Sequence, residues 1–328
     1  MMLRYVLILV MCVAGTFSGL ANQILFNVNY TDEDGTGFYD PTYGSARRGA
    51  FEHACGIWSG YLGASYIGET INIAASFSSM GGSSTSATLG SAGPESFTAG
   101  NFGVGPTGYL WLNAANANHL FGGDQGTGYE IAAQFNSDVD NSTVLGSIDF
   151  YYGLDGNCGT DIDFVSVLLH EIGHGLGFTS LINPASGAYY ELHSAIPNTP
   201  SIYDYFLADS SLTPLMNMTD ADRLAAATDE VYWTGSAATA ANGGTPVSIF
   251  SPNPWEEGSS ISHEDEATNP DALMSPYYSG SLHTPDDITL GMLSDMGYDI
   301  VPEPATVMMI GSVTAAAFWI RRRYSYMA

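Results

Sequence analysis

The sequence contains no lysine. Its seven cations are all arginines, and Arg4, Arg321, Arg322 and Arg323 lie in the terminal segments. Between residues 22 and 300 only Arg47, Arg48 and Arg223 stand against 33 of the 34 acids, in a chain of 328 residues with net charge −27. Phosphate backbones are held by clustered cations, so nucleic acid is excluded as a partner, and an anionic lipid face would be repelled. Cysteine is also scarce: of three, Cys12 falls in an apolar leader, which leaves Cys55 and Cys158. Apolar material is not lacking. With 45% hydrophobic and 12% aromatic residues the chain can bury a core, so its acidity does not imply disorder. The length allows one large domain or two small ones.

The ends read as addresses. Residues 1–21 carry one cation, Arg4, then an apolar run from Tyr5 to Val13 and small residues ending Gly19-Leu20-Ala21, the pattern of a secretory signal peptide cut before Asn22. At the other end Val301-Pro302-Glu303-Pro304 is followed by an apolar run to Ile320 and then Arg321-Arg322-Arg323. As a helix that run spans about 25 Å, enough for a membrane with snorkelling ends, and the arginines would stay on the cytoplasmic side. The order of Pro-Glu-Pro, apolar span and arginine cluster resembles the PEP-CTERM sorting signals of Gram-negative bacteria. That resemblance implies that residues 301–328 are read by an exosortase-type sorting enzyme and that the protein ends at the cell surface, outer membrane or extracellular matrix. In an exported chain Cys55 and Cys158 read as one disulfide closing a loop of about 100 residues, with two free thiols as the alternative.

The body, residues 22–300, alternates strand and helix signals. Asp32 to Gly37 reads as a turn, and Ser45 as the cap of a helix over Ala46 to Leu62 with Ala50, Phe51, Ala54, Ile57, Trp58 and Leu62 on one side. Thr70 to Phe77 alternates as a strand, Ser78 to Gly93 reads as a hairpin or loop, and Glu130 to Phe135 as a further strand at a sheet edge. Asp163 to Leu176 has helical spacing, and Thr179 to Ile261 reads as loop-rich with one helical stretch near Asp220 to Ala227. These signals predict an α+β fold, a mixed sheet with two long helices, divided at about residue 178 into an N-terminal part (22–178) and a loop-rich C-terminal subdomain (179–300).

The chemistry concentrates in Leu168-Leu169-His170-Glu171-Ile172-Gly173-His174-Gly175-Leu176-Gly177-Phe178. Four residues apart on a helix, His170 and His174 project from one face and can reach a single Zn²⁺, with Glu171 beside them as a candidate general base. A catalytic zinc usually takes three protein ligands and keeps one position open, so the third ligand decides the class. Gly177 permits a positive-φ turn that redirects the chain directly after the helix.

HExxHxxG is the pattern of the metzincin zinc proteases, although the position of their third histidine in the short motif is occupied here by Ser180. Further on, Ser262-His263-Glu264 followed by Asp271-Ala272-Leu273-Met274-Ser275-Pro276 resembles the leishmanolysin branch, in which a long insertion precedes a distant third histidine and an L-M-x-P Met-turn. The resemblance implies a metzincin-like zinc protease domain with His170, His174 and His263 as zinc ligands, Glu171 as general base, Met274 as the Met-turn methionine and Ile288 to Tyr298 as the closing helix. Glu191, in the manner of thermolysin, and His283 are competing third ligands. Tyr277 and Tyr278 are better suited to packing than to stabilising an oxyanion. The acid clusters Asp32 to Asp34, Asp138 to Asp140 and Asp161 to Asp163 match no Ca²⁺ template and read as solvated acidic face.

The resulting expectation is an exported zinc-dependent endopeptidase acting on a protein or peptide substrate, neutral or basic by charge, and losing activity below about pH 5 to 6 as its histidines protonate. The alternatives are a non-catalytic zinc-binding surface or matrix protein that keeps the fold, and a metal-dependent hydrolase of a non-peptide substrate.

Overall fold

A computed structural model describes residues 22–301. In chain order the first part runs β1 (Leu25–Tyr30), α1 (Gly44–Tyr61), β2 (Leu62–Gly63), β3 (Thr70–Ser78), β4 (Gly90–Pro94), β5 (Phe97–Val104), β6 (Gly108–Asn113), α2 (Ala114–Phe121), β7 (Ile131–Asn136), β8 (Phe150–Tyr151), β9 (Ile162–Asp163) and α3 (Phe164–Leu176). It continues through α4 (Ile202–Tyr205), β10 (Leu207–Asp209), α5 (Asp220–Ala226), β11 (Val231–Trp233), α6 (Ser236–Ala241), β12 (Val247–Ile249), α7 (Asp287–Asp295) and β13 (Asp299–Ile300). The fold is mixed α+β. The signal-peptide and sorting-tail readings fall on residues 1–21 and, but for Val301, 302–328, outside the described residues. Among the described residues no helix is long and apolar enough to cross a membrane.

The largest sheet has the order β1-β3-β7-β4, in which the first three strands are parallel and β4 is antiparallel. Strict alternation along β3 buries Ile71, Ile73, Ala75 and Phe77 on one face. Against that core pack α1, through Phe51, Ala54 and Trp58, and α3, and each large apolar side chain buried contributes roughly 1.5–3 kcal/mol. The Trp58 indole N–H donates to the Leu169 carbonyl at 3.1 Å and so ties the two long helices together. In α3 every residue except His170 is buried, the mark of a central helix with no solvent face. Its start is set by Asp163, whose carboxylate accepts from the Ser166 N–H at 2.8 Å.

Three expectations change. The strand over Glu130 to Phe135 is β7, which is interior because β4 pairs along its other side, so the edge on that side of the sheet is β4. Gly-Ser-Ala-Gly-Pro carries too little side chain to announce a strand, and backbone pairing with β7 makes it one. The cap of α1 is not Ser45, which lies inside the helix; Asp40 holds the preceding turn through the Thr42 and Tyr43 N–H groups. Cys55 and Cys158 do not pair. Both thiols are free, Cys55 buried in the core on α1 and Cys158 half-buried in the loop before β9, 3.8 Å from the Tyr278 hydroxyl.

Beyond α3 the chain is more ordered than its loop-rich reading. α5 lies where the helical stretch was predicted, but α4, α6 and a three-stranded antiparallel sheet, β10-β11-β12, accompany it. Strands of three residues and helices of four to six are too short to establish a period. The acids near residue 32 are structural: Asp32 accepts from the Phe38 and Phe77 N–H groups. Asp140 pairs at 2.7 Å with Arg47.

Candidate metal centre

α3 places His170 and His174 one turn apart with their Nε2 atoms 3.1 Å from each other. Directly after the helix, Gly177 takes φ +142°, and the chain turns back so that the Phe178 carbonyl meets His174 Nδ1 at 2.7 Å. Space enforces glycine here as well, since a Cβ would lie 2.9 Å from Asn113 Nδ2 and 3.2 Å from the end of Met296. His263, 89 residues beyond His174, brings its Nε2 to 3.1 Å from His174 and 3.2 Å from His170.

Each ring has its Nδ1 against a main-chain carbonyl: His170 on Leu273 at 2.8 Å, His174 on Phe178, and His263 on Ser259 at 2.8 Å. A carbonyl only accepts, so each Nδ1 carries the proton and each Nε2 is left with a bare lone pair. Three lone pairs therefore converge with no hydrogen to share, an arrangement that a cation satisfies. Tetrahedral zinc at 2.0–2.1 Å from each nitrogen needs nitrogens about 3.3–3.4 Å apart, within a few tenths of those present. Burial favours the same state, because it holds all three imidazoles below the ordinary histidine range, His174 down to about 3. The three histidines are thus close enough to hold a metal ion, and among the described residues they are the one group of His, Cys, Asp or Glu so placed.

Glu171 is buried beside them. Removal from water raises its carboxyl to about 8, opposed by the Ala92 N–H that hydrogen-bonds to it. β4 makes room for this carboxyl with Gly90, whose absent Cβ would stand 3.1 Å from both Cγ and Oε1 of Glu171. Met274 is fully buried under α3, its sulfur at the place where a Cβ on Gly173 would come within 2.5 Å. The Met274 carbonyl accepts from the Glu264 N–H at 2.9 Å, and the Leu273 N–H donates to Asp286 Oδ2 at 2.9 Å. The loop carrying Met274 is thereby tied to the segment of His263 and to the cap of α7.

The competing residues lie elsewhere. Glu191 is exposed, and His283 pairs at 3.0 Å with Asp163 at the start of α3, about 10 Å along the helix from His170. Tyr277 donates to Glu256 and Tyr278 accepts from the Asp163 N–H, so both hold loops. Of the remaining histidines, His119 is buried against Glu69 at 2.9 Å, while His53 stacks edge-on near His283. Sequence reading missed Gly90, Ala92 and the three carbonyl acceptors, because main-chain atoms and an absent side chain leave no residue-type signal. Compared with protein-family models, with curated proteins and with solved structures, the chain matches none of them.

Proposed function

We propose that this chain is an exported zinc-dependent endopeptidase of the metzincin type, nearest in motif order to the leishmanolysin branch. The observation that carries the reading is the convergence of three unprotonated imidazole nitrogens beside a buried carboxyl that, among the described residues, no other side chain neutralises. A purely structural zinc would use a fourth protein ligand and have no need of Glu171. Zinc bound by His170, His174 and His263 supplies Lewis acidity, lowering the pKa of a water to about 7 and polarising a carbonyl. Glu171 takes the proton of the attacking water and returns it to the leaving amine. β4, the sheet edge beside Glu171, is where an extended peptide would add as a further strand. The surrounding excess of acids favours neutral or basic substrates. Export and surface location rest on residues 1–21 and 301–328, through the signal-peptide and PEP-CTERM-like patterns.

The test measures zinc content and cleavage of casein by the full chain, by Glu171→Ala and by His263→Ala. The reading requires cleavage lost in both, with zinc retained in the first and weakened in the second. Zinc bound by a parent that cleaves nothing, casein or a peptide library, would move the assignment to a non-catalytic metal-binding protein.

A further inference from the structure

His263 reaches the other two histidines from a remote part of the chain, so something must hold it against the segment that leaves α3. The chain after Gly177 passes through Thr179 and Ser180, and the Ser180 N–H donates to Ser262 Oγ at 3.2 Å, one residue before His263. Ser180 is itself anchored. Its hydroxyl donates to Asp204 Oδ1 at 2.6 Å and accepts from the Ile182 N–H at 3.1 Å. Asp204 is fully buried and accepts in addition from the Leu181 N–H at 3.0 Å, the Ser201 N–H at 3.0 Å and the Ser201 hydroxyl at 2.8 Å. A carboxylate out of water persists only when its lone pairs are filled, and these four donors fill them. Thr179 adds to the same anchor, its hydroxyl donating to the His174 carbonyl at 3.2 Å.

We propose that Asp204, Ser180 and Ser262 form a positioning relay that sets His263 against His170 and His174, and that this relay, not the fold alone, fixes the affinity of the centre for zinc. Ser180 stands where the short metzincin motif has its third histidine, and in this chain it tethers the remote one. The inference rests on reading the three histidines as a zinc site. Its content is a division of labour: Asp204 immobilises residues 180 and 181, Ser180 presents its N–H, and Ser262 carries the restraint to the ligand. Groups hydrogen-bonded directly to a ligand typically change metal affinity 10- to 100-fold when removed, and the relay acts on His263 one residue further out, so its effect belongs at the lower end of that range.

The experiment measures zinc affinity of the full chain by competition with a chromophoric chelator, together with the thermal midpoint of each metal-free protein. Ser180→Ala keeps the Ser180 N–H but frees residue 180 from Asp204, and Ser262→Ala removes the acceptor of that N–H. Each should weaken zinc about 10-fold, and the double variant should be little worse than either, because both interrupt one chain of hydrogen bonds. Ser180→Thr keeps the hydroxyl and should bind within a few-fold of the parent. The metal-free midpoint of Ser262→Ala should stay close to that of the parent, which separates positioning from a general loss of stability. Asp204→Asn exchanges acceptor lone pairs for donors and risks misfolding, so the serine variants decide the matter. Affinities within twofold of the parent in both serine variants, or losses that add in the double, overturn the relay while leaving the zinc site standing. A parent that binds no zinc overturns the site and the relay together.

Discussion

Gly90 lies so close to Glu171 that a single added carbon would stand 3.1 Å from the carboxyl's Cγ and Oε1 and equally near Phe135. The edge strand and the candidate base are thus in contact with no space between them. Gly90→Val should push the carboxyl aside. Displacement of a reacting group by about 1 Å can cost 100-fold in rate. The expected result is a loss of 10- to 100-fold in kcat/KM on a peptide substrate with zinc stoichiometry unchanged; full activity in this variant would separate β4 from the chemistry.

Glu171 should also write itself into the pH dependence of stability. Burial raises its folded-state pKa to about 8, above its unfolded value, so the stabilising contribution is complete below about pH 4.5 and is lost as pH rises through 8. Metal-free Glu171→Gln lacks that loss. Its stability relative to the parent should therefore rise between pH 5 and pH 8.5 by on the order of a few kcal/mol, read from urea unfolding at both values. The buried histidines are common to both proteins and cancel. A difference that stays flat with pH contradicts the assignment.

Gly177 is held at φ +142° with Asn113 and Met296 close against its missing Cβ. Gly177→Ala should cost roughly 1–3 kcal/mol through backbone strain and contact with Asn113. It should also lower zinc affinity at least several-fold, since the turn delivers the Phe178 carbonyl to His174. Thermal unfolding with and without zinc measures both effects, and a variant that loses neither would remove the turn from the account of the site.

The two thiols should behave differently. Burial pushes the Cys55 thiol up to about 12, and its neighbours are core side chains, whereas Cys158 is half-buried beside Tyr278. Ellman's reagent should label Cys158 but not Cys55 in the native protein and Cys55 as well after denaturation, and a reductant should leave the melting temperature unchanged. A single reduction-sensitive transition with no labelling would restore the disulfide.

Much of this arrangement is written in residue types. The four-residue spacing of His170 and His174, the glycine at 177 and the distant His263 and Met274 can be read directly, because imidazoles and a thioether name their chemistry. The period of α1 and α3 and the alternation of β3 are likewise visible, since each buries one face or all faces of a regular element. What stays hidden is carried by the main chain or by small residues. β4 is a strand through its pairing with β7, and the Nδ1 acceptors are carbonyls of Phe178, Ser259 and Leu273 that any residue could supply. Asp204 and Ser180 look like ordinary loop polars until the fold buries them together.

Those carbonyls bear on how the centre can be inherited. Three rings are oriented by peptide oxygens, so positions 178, 259 and 273 can change identity over generations without disturbing the imidazoles, provided the path of the chain is kept. Selection on the site then acts on the route of the backbone, through residues such as Gly177 that can take a turn other residues rarely adopt, more than on the side chains nearest the rings.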